Sequence, residues 1–582
     1  VAALDRLLRT QPNDAPALLE LAGLHLGDRR VDEAIALLRR ATAVAQDDEL
    51  AETHLLLARA LEDKGDPPEA FRNYEQALRL RPNDRRVLER VVALQLETGL
   101  FGAAVESGKR LREQARDDAA AVAADIALAH ALTGVRRISE AIDALTDAIV
   151  IEGSGGTASS ELHAIATQPE HWQRYVAALR KQIGDEPRAM LYLEIARTQH
   201  ERLADPDAAR TTLIEGLRAC GDDAGLRFEL AHYLRHAHRY AEAVEQQQLV
   251  LMDDVVRIET WRSLAQTFDE LGQSRARALA NAALGVFEVA SPSEREDIRT
   301  WQPRTEVIRP GALAGDVTSD LHVARDQQAP AAALLAASVE GLAKIRPPDL
   351  ARWGVGSREK LAPRSDQPLR MLVDRIAALF AVEDYDVYVH ALPDRGAFVE
   401  NTSRPSLLVP AWLAEQSPAQ QCFVITQAVV NLARGVFTID LFTPRELDIL
   451  LAASARAQVP AFGERVATAE VLDEYARTIS RALPRKRRRA HEISAEAYAQ
   501  LRGPDVSTFV HWVRQSARRI ALVVADDLAA GIAQVARAEQ LPAKSGIAAV
   551  RGSPVVADLM RVWVSKPAML LRYTSGLLPP AA

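Results

Sequence analysis

The sequence predicts a mostly α-helical protein, an N-terminal α-solenoid of helix pairs followed by a smaller α+β domain. Three observations carry this reading. Small residues recur on a fixed grid through the first half, turn signals fall between the grid points, and after Val289 the grid gives way to short β-rich runs. The 582 residues are 48% hydrophobic and 26% charged, with 29 Gly and 29 Pro, a globular composition rather than a disordered or fibrous one. Aromatics make up only 5%, so the helices are expected to pack on small residues. The expected division is a solenoid over 1–290, a linker and connecting helix over 291–345, and an α+β domain over 346–582.

The grid comes first because internal repeats decide the architecture. Ala22 is followed twelve residues later by Ala34 and seven after that by Ala41, and Ala58, Ala70 and Ala77 repeat the spacing, as do Ala129, Ala141 and Ala148. Val92 and Ala104, Ala196 and Ala208, and Ala231 and Ala243 keep the twelve-residue step, while Ala265 lands on Arg277. Two antiparallel helices approach to about 8–10 Å only where small residues meet at the crossing. Gly27-Asp28, Gly65-Asp66, Gly99, Gly134 and Gly272 supply turns, and Pro12-Asn13-Asp14 and Pro82-Asn83-Asp84 mark unit boundaries, where Asn or Asp caps the next helix.

This pattern resembles the tetratricopeptide repeat, a helix–turn–helix of about 34 residues. It matches most fully at Ala58, Ala70, Ala77 and Pro82, and seven units are recognisable over roughly 12–290. A degenerate unit is expected over 157–184, after the loop Gly153-Ser154-Gly155-Gly156. The resemblance implies a concave groove, lined by the first helix of each unit, that binds a protein or peptide. Carried over by position, the second unit presents Glu52, Leu55, Arg59, Glu62 and Asp63. The third presents Arg86, Glu89, Ala93, Leu96 and Glu97, and the seventh Glu259, Arg262, Gln266, Asp269 and Glu270. The Lys and Asn set that grips a terminal carboxylate in chaperone-binding members is absent. His232 and His236 share one helix face at groove positions, with His238 close behind. Two imidazoles at this spacing can chelate a metal, but no third ligand is placed, so no metal and no cofactor is expected.

Residues 291–330 carry Ser291-Pro292, Pro303, Pro310-Gly311 and Ala329-Pro330, which is turn chemistry, with a short strand at Glu306–Ile308. Helical patterning resumes over Ala331–Lys344 and breaks at Pro347-Pro348. Leu369–Phe380 reads as an amphipathic helix, and Asp386–Leu392, Ala397–Glu400 and Ser406–Val409 as strands. Ser417-Pro418-Ala419-Gln420 is a helix-start signature: a serine cap, proline at the first position, glutamine three on. That helix should run to Arg434 and stop at Gly435.

Strands followed by a capped helix, introduced by Leu-Leu-Val-Pro, resemble the zincin-type metallopeptidases of prenyl-protein processing and outer-membrane quality control. In that family this helix carries His-Glu-x-x-His. The corresponding window here is Gln427-Ala428-Val429-Val430-Asn431, so amides replace both histidines and alanine replaces the general base. At the third ligand's place stands Arg514, ahead of Ala517-Arg518, where a cation would repel a metal. The resemblance therefore implies a pseudoenzyme, since amides are poor zinc ligands and no base remains for a bound water. Read without it, the same residues are a buried helix with Phe423, Val424, Val430 and Leu432 as core.

Other chemistry finds less support. Cys220 and Cys422 are too few for a disulfide framework. Cys422 and His390 suggest a thiol dyad only on paper, because Cys422 sits in an apolar run. There is no G-x-S-x-G elbow and no phosphate-binding G-x-x-x-x-G-K loop. Arg485-Lys486-Arg487-Arg488-Arg489 is the one dense basic patch, ahead of a helix over Ala490–Leu501. No aromatics interleave with it, and the net charge of −8 disfavours nucleic acid. Ile520–Val524 and Leu528–Ala538 read as core strand or helix, and Tyr573–Pro580 as a poorly structured end. No run reaches the roughly 18–20 apolar residues of a membrane span. The chain opens inside a helical pattern (Leu4, Leu7, Leu8), which implies residues upstream and leaves a leader or lipid anchor open; the default compartment is the cytoplasm. The expected function is a non-catalytic scaffold. The rivals are a hydrolase with unrecognised residues and a binder of nucleic acid or acidic partners through the basic run.

Overall fold

A computed structural model describes residues 1–153, 155–184, 187–500, 505–542 and 545–579. Ser154 of the predicted loop, Leu501 at the end of the predicted basic helix and Pro580 of the tail lie outside the described residues. The chain divides into two compact units, Val1–Glu229 and Leu230–Ala582.

The first unit is a run of helix pairs. After Ala2–Thr10 come Ala15–Gly27 with Val31–Ala41, Asp47–Lys64 with Pro67–Leu80, Arg85–Glu97 with Phe101–Glu113, and Asp118–Gly134 with Ile138–Glu152. The shorter pair Thr157–Ile165 and Pro169–Gln182 occupies the stretch read as a degenerate unit, and Ala189–Glu201 with Pro206–Cys220 follows. The grid is the helix contact itself: Ala22, Ala34, Ala58, Ala70, Ala104 and Ala141 are all 0% exposed. Side-chain caps start many of these helices, as where Asp14 Oδ1 accepts from the Ala17 amide at 2.9 Å and Asp66 Oδ1 from Glu69 at 3.2 Å. Gly65 closes its helix in the left-handed region at φ +86°. In other turns that conformation falls to Arg29 and Arg136, two residues after the glycines singled out as turn signals.

One grid point shifts. Ala209, not Ala208, is the fully buried residue. The turn before it is one residue longer, with Ala204 at φ +51° and Asp205 as the cap.

In the second unit the helix pair Ile258–Glu270 and Ser274–Val286 shares a core with the sheet and with several of the helices that follow. Trp261, Leu279 and Phe287 belong to the same buried cluster as Val387, Phe423, Ile520 and Trp563. A four-stranded sheet has the order β1-β2-β4-β3, with β1 Lys360–Leu361, β2 Asp386–His390, β3 Phe398–Glu400 and β4 Ser406–Pro410. β2 and β4 run parallel, register Val387 to Leu407, and the other two pairings are antiparallel. All five β4 residues are buried, so its apolar run needs no alternation. Pro418–Ala433 follows with a reciprocal capping box between Ser417 and Gln420. Its stop is forced: Gly435 sits at φ +71°, and a Cβ there would lie 2.8 Å from Ala336 Cβ. A second core is built by the helices Arg325–Ile345, Pro444–Arg456, Ala469–Ala482 and Arg485–Gln500, through Leu335, Leu451 and Ile479.

Several local expectations are corrected. Glu306–Ile308 is not a strand; Thr305–Val307 is a 3-10 turn held by Thr305 Oγ1, which donates to Val524 O at 2.8 Å. Pro330 lies inside the Arg325–Ile345 helix rather than ahead of it. Residues 291–299 are not open linker, because Ser291 caps the Pro292–Arg299 helix reciprocally with Glu294. Of the two options left open for Ile520–Val524, strand or helix, the structure has the helix, within Val506–Ala525. The tail is ordered as helix Lys566–Ser575, with Leu577 and Leu578 buried beyond it.

Candidate functional site

In the first unit, Arg59 and Glu62 stand on Asp47–Lys64, and Arg86 and Glu89 on Arg85–Glu97. Arg59, Arg86 and Glu89 are exposed, and Glu62 is half-buried. Glu62 is the best-held of the four. Its carboxylate accepts from Tyr74 Oη at 2.6 Å and from Arg90 Nε at 2.6 Å, linking the first helices of successive units. Burial, reinforced by that carboxylate, pushes the Tyr74 phenol well above its ordinary value, while Arg59 and Arg90 pull it back. Glu89 pairs with Arg85 at 2.7 Å, one turn away. Leu55, expected in the groove, is 1% exposed and belongs to the core.

In the second unit the His232 and His236 rings pack edge to face, 4.4 Å between centroids. Arg262 donates to Val289 O at 3.0 Å and approaches Glu294 at 3.4 Å, and Asp269 pairs with Arg277. Among the described residues no group of three or more His, Cys, Asp or Glu side chains is placed to hold a metal.

The second unit also holds a cavity of about 570 Å³. The window residues Gln427, Ala428 and Asn431 line it from the Pro418–Ala433 helix, and Arg514, Ala517 and Arg518 line it from Val506–Ala525. Three segments distant in sequence complete the walls: the 393–398 loop with Arg395, Trp412, and the end of Leu528–Ala538 with Arg537.

Its electrostatics are set by guanidinium groups. Arg514 donates Nη2 and Nε to the same Asp440 oxygen, at 3.0 and 3.3 Å. Arg395 donates to the Asp440 carbonyl at 2.6 Å and lies 4.3 Å from the Trp353 ring and 4.0 Å from Phe398. Burial holds its guanidinium below the ordinary value; Asp440 and Glu400 pull it back up, and Arg352 and Arg514 repel it. Arg537 stacks 3.7 Å over Trp412, and Arg518 pairs with Glu539. Two buried polar atoms on this wall, Asn431 Oδ1 and Trp412 Nε1, have no hydrogen-bond partner among the described residues.

The basic run lies inside the Arg485–Gln500 helix instead of ahead of it. Arg485, Lys486, Arg487, Arg488 and Arg489 are all exposed, yet several are engaged: Arg487 pairs with Glu340 at 2.9 Å, and Arg489 with Glu492 at 3.6 Å. Cys422 and His390 are both buried. Cys422 Sγ contacts Thr305 and Thr426, and His390 Nε2 bonds to Gly396 O at 3.2 Å, so each has a packing role.

Residues 14–83 match the family model for the tetratricopeptide repeat. No curated protein matches the sequence. Solved structures similar to the chain include MamA from residue 41 onward of Desulfovibrio magneticus RS-1, at 16% identity over 36% of this chain and 97% of that one, TM-score 0.22. The C-terminal part of a TPR repeat-containing protein from Cytophaga hutchinsonii is 12% identical over 45% and 92%, TM-score 0.24. Pseudomonas aeruginosa pilF is 14% identical over 49% and 97%, TM-score 0.17.

Sequence reasoning missed the partners of the groove residues, Tyr74 and Arg90, and two of the cavity's four arginines, Arg395 and Arg537. Arg90 sits four residues after Arg86 on the same helix, which is the one signal that could have found it. Arg395 and Arg537 are 142 positions apart, and nothing local marks either.

Proposed function

We propose that the chain is a non-catalytic interaction scaffold whose tetratricopeptide repeats bind a protein or extended peptide, and whose second unit carries a peptidase-like domain without hydrolytic chemistry. The repeat fold supports the interaction role. Support for the pseudoenzyme comes from one observation: Gln427 and Asn431, one helical turn apart, and Arg514 of a neighbouring helix face a single cavity. Amides and a guanidinium supply no anionic or imidazole donor for zinc, and Ala428 supplies no base for a water.

The test uses the full chain as bait, beside a variant carrying Arg59→Glu and Arg86→Glu, two exposed substitutions that leave the core intact. The variant should lose partners that the parent captures; an unchanged partner set would remove the groove from the account. Chelator-sensitive casein hydrolysis by the purified chain would overturn the non-catalytic half.

A further inference from the structure

We propose that the cavity beneath the Pro418–Ala433 helix is a binding site for a peptide carboxylate. The proposal stands on the cavity alone and holds whatever the domain's ancestry. Four arginines line it against three carboxylates, Asp394, Asp440 and Glu539, and their pairing is incomplete. Arg395 and Arg537 have no carboxylate within 4.0 Å among the described residues. Arg514 spends two donors on one Asp440 oxygen, which leaves Nη1 unused.

Neither of these two arginines forms an ion pair among the described residues, although Asp440 and Glu400 attract Arg395 from farther off, and each is held by an aromatic face. Arg395 lies against Trp353 and Phe398, and Arg537 against Trp412. Stacking of this kind fixes the plane of a guanidinium and turns its N–H edge outward, the arrangement that meets a carboxylate with two parallel hydrogen bonds. Among the described residues the one hydrogen bond of Arg537 is a long one, 3.5 Å to Pro393 O. An anion entering here gains charge-assisted bonds to preorganised donors.

A bare inorganic anion does not account for the rest of the wall. Asn431 is 4% exposed, and among the described residues its Oδ1 accepts nothing and Trp412 Nε1 donates nothing. Buried polar atoms carry a desolvation cost unless partnered. Asn431 calls for an N–H donor and Trp412 for an acceptor, and a peptide unit offers both. Phe423, Val424 and Val535 add an apolar side, and about 570 Å³ lies in the range of small-ligand pockets, roughly 300–1,000 Å³, well beyond one carboxylate.

Three pools of short random-sequence peptides, titrated against the full chain, test the proposal. One has a free C-terminal carboxylate and no acidic side chains, the second is amidated but contains Asp and Glu, and the third is amidated and has no acid. Binding of the first or second at least about tenfold tighter than the third is expected, and which of the two binds identifies the source of the carboxylate. Arg537→Gln, at an exposed position, should weaken that binding about tenfold with the circular dichroism spectrum unchanged. Equal binding of all three pools, no binding, insensitivity to Arg537→Gln, or displacement by inorganic phosphate at concentrations comparable to the peptide would each overturn it.

Discussion

His322 shows how much a single half-buried side chain can set. Burial, with the nearby Arg434 and Arg325 guanidiniums, pushes its imidazole down to about 3, and Nε2 has no partner among the described residues. Unfolded, the ring takes a proton near pH 6.5, whereas folded it stays neutral until about pH 3. The stabilisation from keeping it neutral is therefore complete above pH 6.5 and is lost as the pH falls toward 3. Between pH 7 and 5 this amounts to about 1–2 kcal/mol. From pH 7 to pH 5 the parent should lose about 1–2 kcal/mol of urea-measured stability relative to His322→Gln, which has no proton to take up; parallel pH profiles would deny His322 the role. A grid position answers to packing instead. Ala58 is 0% exposed at a helix crossing, so Ala58→Leu forces the pair apart, at about 1–3 kcal/mol, read as a lower melting temperature. A substitution at Arg59, exposed and next in sequence, should leave the melting temperature near the parent's.

At the scale of elements, legibility follows how local the cause is. The Ser417–Gln420 box, the length of its helix and the stop at Gly435 were all readable, because a cap, a first-turn proline and a left-handed glycine act within a few residues. β2, β3 and β4 were readable from β-branched and aromatic runs. β1 is two residues long and exists only because Lys360 and Leu361 pair with Tyr388 and Val387, so nothing in its own sequence marks it. Glu306–Ile308 has the composition of a strand, but among the described residues it pairs with none of the four strands of the sheet. The cavity divides the same way: Gln427, Asn431 and Arg514 were marked by the resemblance to a metallopeptidase helix, whereas Arg395 and Arg537 join them only through tertiary packing. The capping box gives this scale its prediction. Ser417→Ala removes the acceptor for the Gln420 amide, 3.3 Å from Ser417 Oγ, and should cost about 1 kcal/mol. Chemical denaturation reads it, and Ser417→Asp should restore most of the loss.

At the scale of the molecule, the net charge is −8, and within the basic run Arg487 and Arg489 are in ion pairs with Glu340 and Glu492. The larger lesson concerns where the repeats end as a folding unit. The grid continues in sequence to about residue 290, but the pair Ile258–Glu270 and Ser274–Val286 is held by the C-terminal helices. Trp563 Nε1 donates to Leu279 O at 2.8 Å, Tyr573 Oη to Gln273 Oε1 at 2.8 Å, and Gln248 Nε2 to Val564 O at 2.7 Å. Asp526, 1% exposed, takes Arg275 at 3.0 Å with Arg572 at 3.7 Å beside it. A fragment ending at residue 290 would expose Leu279, Leu284 and Phe287, at about 1.5–3 kcal/mol for each large side chain, a sum comparable with the whole stability of a typical domain, about 5–15 kcal/mol. In such a fragment the amides of 258–286 should therefore lose hydrogen-exchange protection, while those of Asp47–Leu80 keep it, because that pair is packed by its own neighbours in the first unit. Protection over 258–286 equal to that in the full chain would show that these helices stand without the domain that follows them.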